Sequence, residues 1–312
     1  MNPVCTFPTS CPRADFRCAS SCTGRTATEA GSSPRCSPTL SDHALVAPAG
    51  YLKGWNICQE SSKAPDVEMV RQLVETLQGF DNVNPNAIRL LGFSNGASLT
   101  NRVYVENDNP GIDAVVTVVS QLSDVMNRAE TFYEPSGEPD ETEPFCGYDQ
   151  VVQPLQTRRY LNICNVNDNI IPYEGGFSNV GVAFVEARLA AWLVARGKGF
   201  DGPPDLGDGE QLADELFKYA YLDDAVVHLR GFAVHGWTAD MRDYVSDFLG
   251  TWASAPEEDC PADLDGDQSV GGSDLSQILG AWSSNDADAD LNGDGTVDGE
   301  DLATLLGDWG DC

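Results

Sequence analysis

The stretch NPNAIRLLGFSNGASLTNRV (residues 84–103) places Ser94 between Gly92 and Gly96 at the end of an apolar run. The segment AIRLL is short and aliphatic, which favours a buried strand. The segment ASLTNRVYVEN that follows contains no glycine or proline and can continue as a helix. Because glycine tolerates backbone conformations that other residues avoid, the two glycines permit a sharp turn. The stretch therefore predicts a strand, a tight turn that carries Ser94, and a helix.

A serine at the top of such a turn is a candidate nucleophile, although a serine in an ordinary turn has the same neighbours. A nucleophilic serine needs a base, and the chain contains three histidines. His43 lies at the edge of a predicted strand, and His228 lies within one, which indicates a structural role. His235 follows the end of a strand, in a loop before the helical segment MRDYVSDFLGTW. We therefore predict that His235 is the base.

The acid that orients this base is expected between Ser94 and His235 in the chain, after an intervening strand. Residues 160–164 predict that strand, and Asp168 lies in the loop that follows it. The interpretation of Asp168 as a turn residue stays open. Three acids are weaker alternatives: Asp223, Asp224 and Glu174.

Charge excludes one class of partner. The formal net charge of −31 over 312 residues argues against nucleic-acid binding, because phosphate contacts need a basic face. No apolar run has membrane-spanning length, so we expect a soluble protein without a membrane partner. From Cys260 to the end there are 13 acidic residues and no lysine or arginine, which predicts either a disordered tail or a cation site.

Two segments with a spacing of 27 residues, DLDGDQSVGGSDLSQILGAW and DLNGDGTVDGEDLATLLGDW, favour the cation site. Each sets hard oxygen ligands at the alternating positions that Ca²⁺ coordination requires. The ligands predicted in the first loop are Asp263, Asp265, Asp267, Ser269 through its carbonyl, and Asp274. Those predicted in the second loop are Asp290, Asn292, Asp294, Thr296 through its carbonyl, Asp298 through water, and Asp301. Gly295 supplies a sharp turn where the first loop has Gln268, so weaker binding is expected in the first loop.

Each predicted loop is 12 residues long and ends in an aspartate, Asp274 or Asp301, and one helix follows each loop. These features resemble a type I dockerin, over residues 260–312. The resemblance implies an extracellular protein with two Ca²⁺ ions and a possible cohesin-type partner. Cys260 and Cys312 bracket this module and are a candidate disulfide clasp. The segment SAPEED (residues 254–259) is the predicted linker.

The motifs APAGYLKGWNI, APDVEMVRQLVETL, IRLLGFSNGASLTNR and NDNIIPYEGG resemble the polyhydroxybutyrate depolymerase and feruloyl/acetylxylan esterase group of secreted α/β-hydrolases, from about Ala44 to Trp252. The resemblance implies that Ser94 is the nucleophile, His235 the base, Asp168 its orienting acid and the Asn95 backbone N–H an oxyanion donor. It implies no cofactor for catalysis. One departure is Cys164-Asn165, where that group has a His-Gly pair, and neither residue is expected to be catalytic.

Residues 1–42 depart further. They hold five of the ten cysteines and seven serines, lack the apolar core of a signal peptide, and predict no buried central strand and no His-Gly loop for a second oxyanion donor. A Cys-rich extension and a misread frame are both open. With suitable codons, RCASSCTG (residues 17–24) in a shifted frame becomes RLFLHG, a strand that ends in His-Gly.

Cysteine use at this level favours an oxidising, exported setting. The acidic, irregular region around residues 133–148 is a candidate lid, tied by a possible disulfide between Cys146 and Cys58.

The predicted architecture is an atypical segment (1–42), an α/β-hydrolase domain (43–253), a linker (254–259) and a small all-α calcium-binding module (260–312). The predicted function is that of a secreted serine esterase acting on polymer-linked esters, either feruloyl or acetyl groups on polysaccharide or polyhydroxyalkanoate. The alternative is a catalytically impaired hydrolase fold that serves as a calcium-dependent binding or scaffold component.

Overall fold

The computed structural model describes residues 16–22, 43–81, 83–250, 261–262, 264, 269–286 and 289–311, with the backbone alone for 16–22, 269 and 311. The chain divides into two compact units, Met1–Thr251 and Trp252–Cys312. The division lies close to the linker predicted at residues 254–259.

The first unit contains thirteen strands and four α-helices among its described residues. Its strands in chain order are β1 (Phe16–Cys22), β2 (His43–Val46), β3 (Val83–Phe93), β4 (Ile112–Val118), β5 (Asn127–Arg128), β6 (Thr131–Pro135), β7 (Tyr148–Val152), β8 (Arg159–Asn165), β9 (Gly176–Phe177), β10 (Ala183–Phe184), β11 (Glu210–Ala213), β12 (Leu216–Tyr221) and β13 (Val226–Gly231). Its helices are α1 (Asp66–Gln78), α2 (Asn95–Glu106), α3 (Ala187–Gly197) and α4 (Ala239–Gly250).

Eight of these strands form one central sheet in the order β2-β1-β3-β4-β8-β13-β12-β11. The six strands from β2 to β13 run parallel, and β12 and β11 add antiparallel pairs at one edge. The sheet is therefore mostly parallel, and the fold is mixed α/β.

Helices cover both faces of the sheet, as a parallel sheet requires. Side chains of α1, α2 and α3 pack on one face, where Ile88 and Leu90 of β3 point inward. Side chains of α4 pack on the other face against alternate residues of the same strands, such as Leu91 and Val116. None of the helices in the described parts of the chain is both long and apolar enough to cross a membrane.

The position of β1 corrects one expectation. Residues 1–42 were expected to supply no central strand, and the α/β domain was expected to begin at residue 43. Instead, Phe16–Cys22 lies between β2 and β3 and pairs in parallel with both. Strand pairing uses backbone N–H and C=O groups, so a segment poor in aliphatic residues still pairs where both neighbours offer theirs.

A smaller antiparallel sheet, β5-β6-β7, covers the region in which the lid was predicted. A disulfide joins Cys146, between β6 and β7, to Cys58 in the segment after β2. This is the pairing that the sequence analysis raised.

The second unit is built on the 27-residue repeat. It contains α5 (Gly272–Gly280), α6 (Gly299–Gly307) and a short antiparallel pair, β14 (Ser269–Val270) with β15 (Gly310–Asp311). The module was predicted to be all α, and the short strand pair corrects that prediction. Its buried core consists of three residue pairs that are each 27 positions apart: Ala262 and Ala289, Val270 and Val297, Ile278 and Leu305. Each repeat therefore contributes an equivalent half of the core.

Candidate active site

The three residues predicted as a triad all follow parallel strands of the central sheet. Ser94 follows β3 directly, Asp168 lies three residues beyond β8, and His235 lies four residues beyond β13. Because β3, β8 and β13 run in the same direction, their carboxyl ends lie at one edge of the sheet. Ligand sites of open α/β sheets form at this edge.

The backbone at Ser94 is strained. Its φ of 54° and ψ of −120° lie in a region that residues with a side chain seldom adopt. Gly92 makes this turn possible, since a Cβ there would lie 2.2 Å from the Gly96 carbonyl oxygen and 2.4 Å from Thr100 Oγ1. The sharp strand-to-helix turn between β3 and α2 is that of a nucleophile elbow.

Hydrogen bonds connect the three side chains in series. His235 Nδ1 lies 2.8 Å from Asp168 Oδ2, and His235 Nε2 lies 2.8 Å from Ser94 Oγ. An ionised carboxylate only accepts, so Nδ1 carries the proton of the neutral ring, and the Ser94 hydroxyl donates to Nε2. The Asp168 side chain is 2% exposed and that of His235 is 14% exposed. This tautomer leaves Nε2 ready to take a proton from Ser94.

Asp168 is held in its ionised form. Burial by itself would raise its pKa, but hydrogen bonds from His235 and from the backbone N–H groups of Ile170 and Ile171 hold the pKa below its usual value. The two backbone donors contact Oδ1 and leave Oδ2 for the histidine. The carboxylate is therefore fixed in both position and charge.

The other two histidines lie elsewhere. His43 Nε2 contacts the Arg89 guanidinium at 3.1 Å. His228 is buried between Asn162 and Tyr173, and burial lowers its pKa to about 3. It is therefore a neutral core residue, as predicted.

Two of the alternative acids lie away from His235. Asp223 and Asp224 occupy the turn between β12 and β13, at the sheet edge opposite to His235. Asp224 is also paired with Lys218 at 2.7 Å.

Asn165 holds the histidine loop, a role that the sequence analysis missed. Its Nδ2 donates to the carbonyl oxygens of Val234 at 3.0 Å and Gly236 at 2.6 Å, the residues on either side of His235. Gly231 leaves room for this side chain, since a Cβ there would lie 2.4 Å from Asn165 Oδ1. The one sequence feature that could have indicated this role is the position of Asn165 at the end of the strand that precedes Asp168.

We expect Asn165→Ala to lower kcat by about 10²-fold with little change in KM, because loss of the clamp lets the His235 imidazole leave its working geometry. Steady-state kinetics on an activated ester measures this, with thermal unfolding to verify the fold. Asn167→Ala is the matched control, since Asn167 is exposed and donates only to the Phe232 carbonyl. Equal losses in the two variants would contradict the assignment.

Asn95, the predicted oxyanion donor, begins α2, and its side chain is anchored. Asn95 Oδ1 accepts from the Trp55 backbone N–H at 2.8 Å, and Nδ2 donates to the Trp55 carbonyl at 3.1 Å and to Glu60 at 3.2 Å. The first N–H groups of a helix have no intrahelical acceptor. The Ser94 side chain does not cap α2. The Asn95 N–H is therefore available beside the serine oxygen.

A cavity of about 470 Å³ opens beside the histidine. Its walls are apolar and aromatic apart from one cation and the base itself. The lining residues are Phe93, His235, Gly236, Trp237 and Arg242. The Phe93 and His235 rings meet edge to face, with centroids 5.9 Å apart. A substrate group attached to the reacting carbonyl or to its leaving oxygen has space here.

In the second unit, the second predicted calcium loop folds around Asp290. The two Asp290 oxygens accept from the backbone N–H groups of Gly293, Asp294 and Gly295. The carboxylate of Asp301 accepts from the N–H groups of Asn292 and Asp298. These side chains offer the hard oxygen atoms that suit Ca²⁺.

In the described parts of the chain, no three His, Cys, Asp or Glu side chains lie in an arrangement that could hold a metal ion, so calcium binding stays a prediction. Of the first loop, Asp274 is described, and its carboxylate accepts from the N–H groups of Leu264 and Gly271. Four predicted features lie outside the described residues or side chains: the ligands Asp263, Asp265 and Asp267, and the pairing of Cys260 with Cys312.

No protein-family model matches the chain, and no curated protein matches its sequence. Solved structures are similar in fold. An acetyl xylan esterase from Aspergillus awamori is 12% identical, with a TM-score of 0.49 and coverage of 76% of this chain and 89% of that one. A Bacillus cereus carboxylesterase is 10% identical, with a TM-score of 0.48 and coverage of 75% and 88%. A phospholipase/carboxylesterase from Dyadobacter fermentans is 11% identical, with a TM-score of 0.46 and coverage of 77% and 93%. Sequence identities of 10–12% do not assign catalytic residues or substrates to this chain.

Proposed function

We propose that the chain is a carboxylic ester hydrolase of the α/β-hydrolase type. The observation that carries the proposal is the series of two 2.8 Å contacts from Ser94 through His235 to Asp168, on a strained turn at the carboxyl edge of the sheet. A buried carboxylate, an oriented imidazole and a partly exposed hydroxyl in this order are the parts that acyl transfer needs.

The reaction follows from these positions. Ser94 Oγ attacks the ester carbonyl while His235 Nε2 takes its proton, and Asp168 stabilises the resulting imidazolium. The Asn95 N–H donates to the carbonyl oxygen as negative charge develops there. His235 then protonates the leaving alcohol, which leaves an acyl group on Ser94. Water, activated by the same imidazole, releases the acid and restores the serine.

A second oxyanion donor is expected from the chain that leaves β1. Cys22, the last residue of β1, pairs with Gly92, two residues before Ser94, so this chain starts beside the elbow. Residues 23–42 are outside the described part. The shifted reading of residues 17–24 would set its His-Gly at this end of β1, and we keep it as a proposal. Sequencing the DNA over codons 1–50 decides between a misread frame and a genuine Cys-rich segment.

For substrate and setting, we favour polymer-linked esters and an exported enzyme. The motifs quoted above resemble secreted esterases of polysaccharide and polyester breakdown, and the Cys58–Cys146 disulfide suits an oxidising compartment. The test is hydrolysis of a panel that contains an activated acetate, a feruloyl ester, acetylated xylan and a hydroxybutyrate oligomer. Turnover of at least the activated acetate is expected. Absence of turnover of every ester would overturn the proposal.

A calcium-dependent binding module is a second candidate function, favoured by the surface of the second unit. Two exposed pairs occur at equivalent positions of the repeats: Leu279 with Trp282, and Leu306 with Trp309. Large apolar side chains that stay exposed in duplicate are typical of a surface that binds a partner. We propose that two Ca²⁺ ions order the loops beside these pairs and that the partner is a protein of the cohesin type.

We expect Asp294→Ala to weaken Ca²⁺ binding at the second loop by at least about tenfold, because it removes one of the charged ligands. Calorimetric titration of the full chain measures this, and the site in the first loop provides an internal reference. Asp308→Ala is the matched control, since Asp308 is equally exposed but lies outside the loop. Two unchanged sites in Asp294→Ala would show that this loop does not bind the ion as proposed.

A further inference from the structure

We propose that Arg242 makes the cavity beside His235 selective for esters that carry a carboxylate group close to the scissile bond. This inference rests on the proposed ester hydrolysis and assigns a substrate class to the same site. Arg242 lies in the first turn of α4, and its side chain lines the cavity together with His235, Phe93 and Trp237.

The cavity wall combines aromatic surface with a guanidinium group. Among the described residues that line it, Arg242 is the one with a permanent positive charge, and the others offer aromatic faces, a glycine and the catalytic base. A neutral ester group accepts only a weaker hydrogen bond from a guanidinium than a carboxylate does. A carboxylate is bound more strongly, because the planar fork of arginine donates two parallel hydrogen bonds to it.

The surroundings of Arg242 differ from those of the paired arginines Arg89 and Arg102. Within the described residues, no carboxylate lies within 4.0 Å of its guanidinium, whereas Arg89 is paired with Asp113 and Arg102 with Glu106. Side chains three or four positions away on a helix are the ones that meet. Around Arg242 these positions hold no acid: Thr238, Ala239, Val245 and Ser246.

Arg128 and Arg158 also lack a carboxylate partner, but their guanidinium groups donate to backbone carbonyl oxygens. Among the described residues, the Arg242 guanidinium has no such acceptor. The 49 acidic residues of the chain outnumber its 18 lysines and arginines, so a shortage of acids does not explain why Arg242 has no partner among the described residues. The nearest acids in sequence, Asp240 and Asp243, are two and one positions away and therefore lie on other sides of the helix. Among the described residues none supplies a counter-charge to this half-buried side chain, and a carboxylate bound in the cavity would supply one.

The overall charge sharpens the prediction. A net charge of −31 repels anionic substrates at long range, but salt screens that field over about 8 Å at physiological ionic strength. A contact inside the cavity is screened much less. Selection of a carboxylate ester has to come from such a local contact, and added salt should not remove it.

Two arrangements of the substrate share this chemistry. The carboxylate can belong to the acyl part, as in a half-ester of a dicarboxylic acid, or to the alcohol part, as at the free end of a polyester chain or in an esterified uronic acid. In both, water cleaves the ester bond, and the carboxylate bound by Arg242 is unchanged.

The experiment compares kcat/KM for two matched pairs of esters. The first pair is p-nitrophenyl pentanoate and the mono-p-nitrophenyl ester of glutaric acid, which differ in the charge of the acyl part. The second is methyl para-acetoxybenzoate and para-acetoxybenzoate, which differ in the charge of the alcohol part. Each is measured on the wild type, Arg242→Gln, Arg242→Lys and Arg71→Gln, with spontaneous hydrolysis subtracted. Arg71 is the matched control, because it lies on α1 and pairs with Asp108.

Arg242→Gln is expected to lower kcat/KM for the charged member of one pair by about tenfold, with the neutral member within about twofold. Arg242→Lys should restore part of the loss, and Arg71→Gln should match the wild type. The pair that responds identifies the part of the substrate that contacts Arg242. Equal effects on charged and neutral esters, or no effect on either charged ester, would overturn the inference while ester hydrolysis itself stands. If the wild type hydrolyses none of the four, the proposed function fails as well.

Discussion

Replacement of Ser94 by alanine is expected to lower kcat on p-nitrophenyl acetate by about 10⁶-fold. The reason is that Ser94 Oγ lies 2.8 Å from His235 Nε2, on the strained turn that holds it there. Without it, no acyl group can be carried by the enzyme. Steady-state release of p-nitrophenol, with spontaneous hydrolysis subtracted, measures the loss.

The matched control is Ser98→Ala, one turn further along α2. Ser98 is buried and shares a hydrogen bond with Ser120, so its loss perturbs the same helix without reaching His235. A fluorophosphonate probe should label the wild type and Ser98→Ala, and should leave Ser94→Ala unlabelled. If Ser94→Ala keeps its activity, Ser94 is an ordinary turn residue. If the wild type is inactive while the second unit still binds Ca²⁺, the scaffold alternative is the better account.

Much of the candidate site could be predicted because its residues stand where the strand pattern ends. Ser94, Asp168 and His235 each follow an apolar run, and the ends of parallel strands are where distant parts of a chain meet. The glycine at position 92 carried further information, because the turn has no room for a Cβ. Local composition and topology thus pointed to the same three residues.

Other features depend on tertiary contacts that leave little trace in local sequence. The segment Phe16–Cys22 has few aliphatic residues, but its place between β2 and β3 is set by backbone pairing. Asn165 was discounted as a harmless departure, because nothing local shows that its amide faces the carbonyls beside His235. The partner of Cys58 was open for the same reason, since 88 residues separate it from Cys146.

The 53 residues from 260 to 312 include a feature that the sequence predicts and one that depends on three-dimensional geometry. Its repeat predicts the duplicated core, because equivalent residues such as Val270 and Val297 face the same interior. Calcium binding requires the ligand oxygens to be placed to within a few tenths of an ångström. The order of residues predicts which oxygens are candidate ligands but not their positions. The spacing of a motif therefore predicts its fold better than it predicts the strength of its site.

Asp168→Asn is expected to lower kcat by about 10⁴-fold with little change in KM. The asparagine amide can donate to His235 Nδ1, which would move the ring proton to Nε2. Protonated Nε2 no longer accepts from the Ser94 hydroxyl, so the base is lost although the shape of the site is kept. Asp224→Asn is the matched control, because Asp224 lies at the opposite edge of the sheet, and it should retain activity within a few-fold. An Asp168→Asn enzyme as active as the wild type would reduce Asp168 to a turn residue.

The same variant tests the charge of Asp168 through stability. Because its folded-state pKa is lowered, ionised Asp168 contributes stability that is present above its unfolded pKa of about 3.9 and is lost as pH falls through the lower folded value. Urea unfolding of wild type and Asp168→Asn should therefore differ at pH 7 and converge in strong acid. A difference independent of pH would mean that the carboxylate gains nothing from His235 and the two N–H donors. The hydrogen bonds to Asp168 would then not stabilise its ionised form, and the tautomer of His235 would need another explanation.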